Sequence, residues 1–319
     1  MSIWVAAGIA LLAVMLGVLL GVSLTKPIMS LVAYVRRIGA GDLNGRLSLR
    51  QSPELRELSQ EINTMTAGLQ DRMRIRHSLA MAMEVQQNLL PRMTPDVSGL
   101  DLAGHSTYCD ETGGDYYDFI DAVDLSETAA TIAIGDVSGH GIASAMVMAE
   151  ARGVLRSRCR QPGTLAELLT HMNDLLVADL GDGKFMTMLL VTLDSASRRM
   201  QWASAGHDMP FVYDPAGDRF IDIDGAGLPL GMMPDQTYEE YTLPDLPPGA
   251  VVLVATDGVW EMANIDGELF EKERVRQILR RYASLTADEI SKCLQQELTD
   301  FLGQANQRDD ITFVIAKMA

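Results

Sequence analysis

The sequence predicts an α+β protein with antiparallel sheets, preceded by a helical segment of a different kind. Three observations lead there. Residues 3–24 are apolar almost throughout and carry no charge. Two heptad seams follow before residue 70. From residue 100 onward, short apolar or alternating runs are separated by turns rich in Gly, Asp and Pro, with a few longer helical stretches between them.

A chain of 319 residues accommodates one large or two modest domains plus accessory segments. Its net charge of −17 is unevenly spread. Residues 1–92 hold ten Lys/Arg against six Asp/Glu, and residues 93–319 hold sixteen against thirty-seven. An acidic C-terminal portion argues against nucleic acid as a partner, because phosphate binding needs a basic face. Clustered carboxylates also invite divalent cations, although solubility alone accounts for such a charge equally well. The three cysteines, Cys109, Cys159 and Cys293, are widely spaced and form no CxxC pattern. That fits a reducing compartment and disfavours a zinc ribbon or a disulfide scaffold.

The apolar run comes first. About 20 such residues span a bilayer. No Lys or Arg precedes the run, and it is longer than the apolar core of a signal peptide, so residues 1–25 are expected to form an uncleaved, single-pass anchor. Lys26, Arg36 and Arg37 follow it, which places the bulk of the chain on the cytoplasmic side of the inner membrane.

The first seam comprises Leu24, Ile28, Leu31, Val35 and Ile38, and Gly39 and Gly41 end it. The second comprises Leu55, Leu58, Ile62, Met65 and Leu69. Two short heptad helices cannot bury their seams alone, whereas two copies can, as a parallel four-helix bundle. A homodimer is therefore expected. The stretch resembles a HAMP signalling domain over residues 26–73. The resemblance lies in Pro27, Gly41-Asp42-Leu43, Glu54 and Asn63-Thr64-Met65. Two consecutive steps of four, Met65 to Leu69 to Met73, make a stutter. Helical character then continues to Leu90, and Pro91 stops it. Residues 74–92 read as a helical linker, either a transmitter or an inert spacer.

Strands are expected at residues 100–105, 116–121, 128–134, 187–193, 200–205, 211–213, 239–243, 250–256 and 311–317. Helices are expected at 142–160, 164–180, 272–282 and 286–302. No Gly-rich loop ends in Lys-Ser/Thr, so no P-loop is present.

Four carboxylate turns stand out in this portion: Gly113-Gly114-Asp115-Tyr116-Tyr117-Asp118, Gly135-Asp136-Val137, Thr256-Asp257-Gly258 and Arg308-Asp309-Asp310-Ile311-Thr312. Most sit where an apolar strand meets a turn, so their carboxylates can converge at one edge of a sheet core. Each alone also reads as an ordinary turn. Together they suit hard cations such as Mg²⁺ and Mn²⁺, which take oxygen ligands and keep several waters. With five histidines and no HxH or HExxH, a zinc site is disfavoured. Two hard ions would lower the pKa of a shared water and clamp an in-line displacement at phosphorus.

The order and wording of these turns resemble the PPM metal-dependent Ser/Thr phosphatases of the bacterial SpoIIE-like branch. The matching segments are Val85-Gln86-Gln87-Asn88-Leu89-Leu90-Pro91, GGDYYDF at 113–119, GDVSGHGIASAM at 135–146, SAGHDMP at 204–210, ATDGVWE at 255–261 and RDDIT at 308–312. The resemblance implies that residues 93–319 form an αββα sandwich of two antiparallel sheets flanked by helices, with two Mn²⁺ or Mg²⁺ ions at one edge. It implies removal of phosphate from phosphoserine or phosphothreonine of a partner protein, often a STAS-domain anti-sigma-factor antagonist.

Carried over by motif, Asp136 bridges both ions and acts as a catalytic residue. The Val137 carbonyl, Asp115, Asp257 and Asp309 complete the set, with Asp310 behind Asp309 or in its place. Asp118 holds metal-bound water or caps a turn. His140 is the candidate proton donor to the leaving oxygen, although the family's eukaryotic branch places its His two residues after the bridging Asp rather than four. His207 reads as a turn stabiliser. The eukaryotic branch also has a phosphate-binding Arg before the first acidic motif, and residues 100–114 contain none. Phosphate is then left to the metals or to a residue such as Lys184 or Arg308. The rival functions are a catalytically weak pseudophosphatase that docks a partner and a HAMP-dimerised signalling scaffold.

Overall fold

The computed structural model describes residues 2–50, 52–120, 125–180, 183–225 and 227–319. Met1, the first residue of the expected anchor, and Asp121, the expected end of a strand, lie outside the described residues. The chain divides into two compact units, Met1–Ala80 and Met81–Ala319.

In the first unit, α1 (Ser2–Gly39) is one helix with Pro27 inside it. Its Trp4–Gly39 stretch reaches a mean hydropathy of 2.7 and is long and apolar enough to cross a membrane. Helix α2 (Pro53–Gln87) starts in this unit. Tyr34, Leu47 and Leu49 form a small core with Leu31, Ile38, Leu55 and Ile62. The connector between the helices is fastened by side-chain amides. Asn63 donates to the Leu47 carbonyl at 2.8 Å and accepts from the Leu47 N–H at 2.9 Å. Gln70 donates to the Leu43 carbonyl at 2.7 Å. Ile28, Val35, Leu58 and Met65 of the two seams stay exposed in the single chain, as expected for heptad positions that need a second copy to cover them.

Among the described residues, the second unit contains ten strands and, after the end of α2, four further α-helices. The strands are β1 (Leu100–Thr107), β2 (Tyr116–Ile120), β3 (Ala129–Val137), β4 (Met186–Asp194), β5 (Arg199–Ala205), β6 (Phe211–Asp214), β7 (Arg219–Ile221), β8 (Tyr241–Leu243), β9 (Val251–Ala255) and β10 (Ile311–Met318). They form two five-stranded sheets, β1-β10-β9-β6-β7 and β2-β3-β4-β5-β8, and every pairing within the sheets is antiparallel. The helices are α3 (Ile142–Arg158), α4 (Leu165–Asp179), α5 (Glu271–Tyr282) and α6 (Ala287–Leu302).

Period-two alternation assigns the layers. In β10, Val314, Ala316 and Met318 join Ile132, Val191 and Val252 in a core between the sheets. Phe313 and Ile315 point the other way, into a core with Val275, Ile278, Ile290 and Leu294 of α5 and α6. On the far side, Ala133, Met188 and Leu190 pack with Met148, Leu155, Leu169 and Met172 of α3 and α4. The result is the αββα sandwich. Each fully buried aliphatic side chain here contributes roughly 1.5–3 kcal/mol over its exposed state.

Capping sets the starts of two helices. Thr164 and Thr286 each accept from the backbone N–H three residues on, while Glu167 and Glu289 return the bond, forming capping boxes. Both threonines, expected as the first helical residues, are the caps. Strand β7 was not expected from the sequence. It is three residues long and only partly buried, so it lacks the apolar run that marks its neighbours. Strand β3 also runs further than expected, taking in Asp136 and Val137 opposite Thr187 and Met186. The strand takes a glycine at 135, where a Cβ would meet the Thr187 carbonyl at 2.5 Å.

Candidate metal centre

Sheet register brings the acidic turns together in pairs. Tyr116 lies opposite Gly135, so Asp115 at the start of β2 neighbours Asp136 near the end of β3. Phe313 lies opposite Ala255, so Asp309 and Asp310 before β10 neighbour Asp257 after β9. Thr107 lies opposite Ile311, which returns the loop after β1 to the same end.

Three side chains join the two pairs across the sandwich. Thr256 donates to Asp115 Oδ2 at 2.8 Å and accepts from the Thr312 N–H at 3.2 Å. Asp310, 3 % exposed, accepts from the backbone N–H of Cys109 at 2.8 Å and of Gly114 at 2.9 Å. The buried His207 sits between the sheets, its Nδ1 2.9 Å from the Thr187 hydroxyl on β4 and its Nε2 3.2 Å from the Ala255 carbonyl on β9. Burial pushes the His207 pKa down to about 4. The neutral ring donates from Nε2 to the carbonyl and accepts at Nδ1 from the hydroxyl.

Burial also raises the carboxylate pKa values, and the neighbouring carboxylates add to it. Asp136 is pushed up to about 8 by burial and then by the charges of Asp257, Asp309 and Asp310. Asp257 reaches about 6 through burial, Asp309 and Glu261. Asp115, 1 % exposed, is raised well above the usual range by burial, Asp136 and Asp310. Asp309 is exposed at the mouth and is raised by its partial burial and by Asp310. Crowded oxygen donors whose negative charges oppose one another suit a hard divalent cation. Among the described residues no three His, Cys, Asp or Glu side chains come together closely enough to hold a metal ion by themselves. Hard ions tolerate that, since they complete their coordination with water and carbonyls.

The backbone fits the same purpose. The Val137 carbonyl lies over Gly114, where a Cβ would approach it to 2.7 Å. A side chain at Gly113 would run into the Asp310 carboxylate and the Tyr108 ring. Gly139 and Gly141 adopt φ of 80° and 83° between β3 and α3, a conformation glycine takes without steric cost.

The remaining candidates fall in different places. Asp118 is fully buried and away from the cluster, pairing with Arg156 of α3 at 2.6 and 2.7 Å and accepting from the Tyr116 hydroxyl at 2.7 Å. It neither faces the carboxylate cluster nor caps a turn, because a strand residue's side chain follows the pleat to the α3 face. His140 is exposed at the rim, with Nδ1 2.7 Å from Asp110 Oδ2, on the side of the cluster where Asp309 lies. Lys184 donates to the Ser138 carbonyl at 2.5 Å and to the Ser144 hydroxyl at 3.2 Å, which places it on the Gly139 side of the Ser138 turn. Arg308 is exposed beside Asp309. Sequence reasoning missed Thr256, whose only signal was its place directly before Asp257, and the backbone-clamping role of Asp310. It also gave Gln86 no role.

Comparisons with known proteins agree with this architecture. The family model for stage II sporulation protein E (SpoIIE) matches residues 126–319, and the HAMP domain model matches residues 19–71. The chain is 27 % identical over 243 residues to the phosphoserine phosphatase RsbU of Bacillus subtilis, covering 76 % of this chain and 70 % of that protein. It is 26 % identical over 328 residues to protein IcfG of Synechocystis, covering 91 % of this chain and about half (51 %) of that relative. Among solved structures, the PP2C domain of SiaA from Pseudomonas aeruginosa superposes with a TM-score of 0.68 at 24 % identity, covering 78 % of this chain and 99 % of that one.

Proposed function

The chain belongs to the SpoIIE family, and from that premise we propose that it is a membrane-anchored, metal-dependent protein serine/threonine phosphatase. The observation that carries this reading is the set of mutually repelling carboxylates gathered from β2, β3, β9 and β10 at one end of the sandwich. Asp115, Asp136, Asp257, Asp309 and the Val137 carbonyl would hold two Mn²⁺ or Mg²⁺ ions. When bound, the ions supply Lewis acidity, lowering the pKa of water and neutralising phosphoryl oxygens.

The chain's own residues do the rest. Asp310 and Thr256 fix the loop and strand end that carry Asp115 and Asp257. His207 keeps the two sheets in register with each other at the site. His140, oriented by Asp110 at the rim, is placed to give a proton to the leaving serine or threonine oxygen. No side-chain nucleophile is required, because water attacks phosphorus directly.

The substrate is a phosphorylated protein. The relative named as a phosphoserine phosphatase supports that class, and a STAS-domain protein is the specific partner we propose. The apolar helix of residues 1–25 would hold the protein in the inner membrane with the phosphatase unit in the cytoplasm, and the open seams of the HAMP domain would pair two copies. The test is Mn²⁺-dependent hydrolysis of p-nitrophenyl phosphate and of a phosphorylated STAS protein. Asp136→Asn and Asp257→Asn are each expected to abolish both. Turnover like that of the wild type in either variant would refute the metal assignment.

A further inference from the structure

Helix α2 ends at Gln87, and its last turn carries a side chain the catalytic reading does not use. Gln86 is 3 % exposed. Its amide takes both backbone polar groups of one residue: Nε2 donates to the Gly113 carbonyl at 2.6 Å, and Oε1 accepts from the Gly113 N–H at 3.2 Å. A primary amide is the one neutral side chain that can donate and accept in this paired fashion. Gly113 is the residue before Gly114-Asp115. The next N–H along, that of Gly114, is held by Asp310. The backbone leading to Asp115 is thus fixed at two successive residues, by Gln86 from the helix and by Asp310 from the opposite sheet.

The end of the helix cannot easily yield. Leu89 and Leu90, directly after it, pack against the core under α3 and α4, and Leu90 also reaches the core between the sheets. The loop has little freedom on its other side, since Gly113 lies against the Tyr108 ring and the Asp310 carboxylate. A buried amide that loses its partner also leaves two polar backbone groups without hydrogen bonds, which costs about 1–3 kcal/mol each.

We propose that Gln86 is a positioning residue of the metal centre. Through the Gly113 peptide it sets the place of the Asp115 carboxylate, so that the last turn of α2 forms part of the ion-binding apparatus. The proposal rests on the metal reading above. Residues standing behind metal ligands typically change metal affinity by about 10–100-fold when removed, and a loss of that size is expected here.

The experiment measures Mn²⁺ binding by the intact chain, reading free Mn²⁺ by electron paramagnetic resonance. It compares the wild type with Gln86→Met, which is similar in volume but cannot pair with a peptide. Gln86→Glu keeps only the acceptor for the Gly113 N–H, and exposed Gln87→Ala is the control on the same helix turn. Gln86→Met is expected to weaken binding by about 10–100-fold, Gln86→Glu by less, and Gln87→Ala not at all. Hydrogen exchange in the segment 108–117 should speed up in Gln86→Met. Unchanged affinity in Gln86→Met would overturn the proposal and leave the metal reading standing. If Gln86→Met does not fold, unchanged affinity in Gln86→Leu, which also loses both hydrogen bonds, has the same force. A wild type that binds no Mn²⁺ would remove the metal reading and this proposal together.

Discussion

Replacing Asp136 with Asn should stabilise the metal-free protein while destroying the site. Asp136 rises from the ordinary 3.8 to about 8 because it is buried among like charges. A carboxyl whose folded pKa is raised contributes its full stability below the unfolded value, near 3.8, and loses it as pH climbs towards 8. One unit corresponds to about 1.36 kcal/mol. At about pH 7.5 the window already crossed is worth up to about 5 kcal/mol. Asn removes Asp136's share of a repulsion that Asp257 and Asp309 also carry, so a gain of about 2–3 kcal/mol is expected. For a domain of this size that raises Tm by roughly 4–12 °C. The assay is thermal unfolding of both proteins in chelator across pH. The gain should be greatest near pH 8 and vanish near pH 4. Saturating Mn²⁺ should reverse the order, because only the wild type has a ligand to gain from. A variant no more stable than the wild type in chelator, or a gain that ignores pH, would refute the electrostatic account of the site.

Two further outcomes follow from the same structure. Mn²⁺ uptake should release protons and tighten between about pH 6 and 8, the interval spanned by Asp257 and Asp136; calorimetry in two buffers of different ionisation enthalpy reads the proton count, and a count of zero at about pH 7 contradicts the raised values. Arg156→Ala should strand the fully buried Asp118 carboxylate and cost about 3 kcal/mol, towards the low end for broken buried pairs because Arg156 itself is half exposed; denaturant unfolding checks it, and a loss under about 0.5 kcal/mol would show the pair to be idle.

The sheets were legible because their strands are apolar runs bounded by turn residues, whereas the capping boxes that place Thr164 and Thr286 outside their helices came to light only in the structure. What the sequence withheld is pairing at long range. The acidic turns showed the residue types of the site, yet nothing near Asp310 reveals that its carboxylate is taken up by amides at positions 109 and 114. Gln86 is likewise an ordinary polar residue on a helix until the fold sets it against Gly113. Strand β7 escaped because its residues are half exposed and their alternation is too short to register. Asp118 shows the converse. Its motif left it either holding metal-bound water or capping a turn, while the pleat of β2 turned it to Arg156.

Strand β10 has one more consequence. It lies between β1 and β9 in its sheet, although it is made after every other strand of the domain. During synthesis that sheet lacks the strand between β1 and β9 until residue 318 has emerged, and Asp309 and Asp310 are absent until shortly before. The nascent protein therefore has neither a closed core in that sheet nor its full carboxylate cluster until this strand is in place.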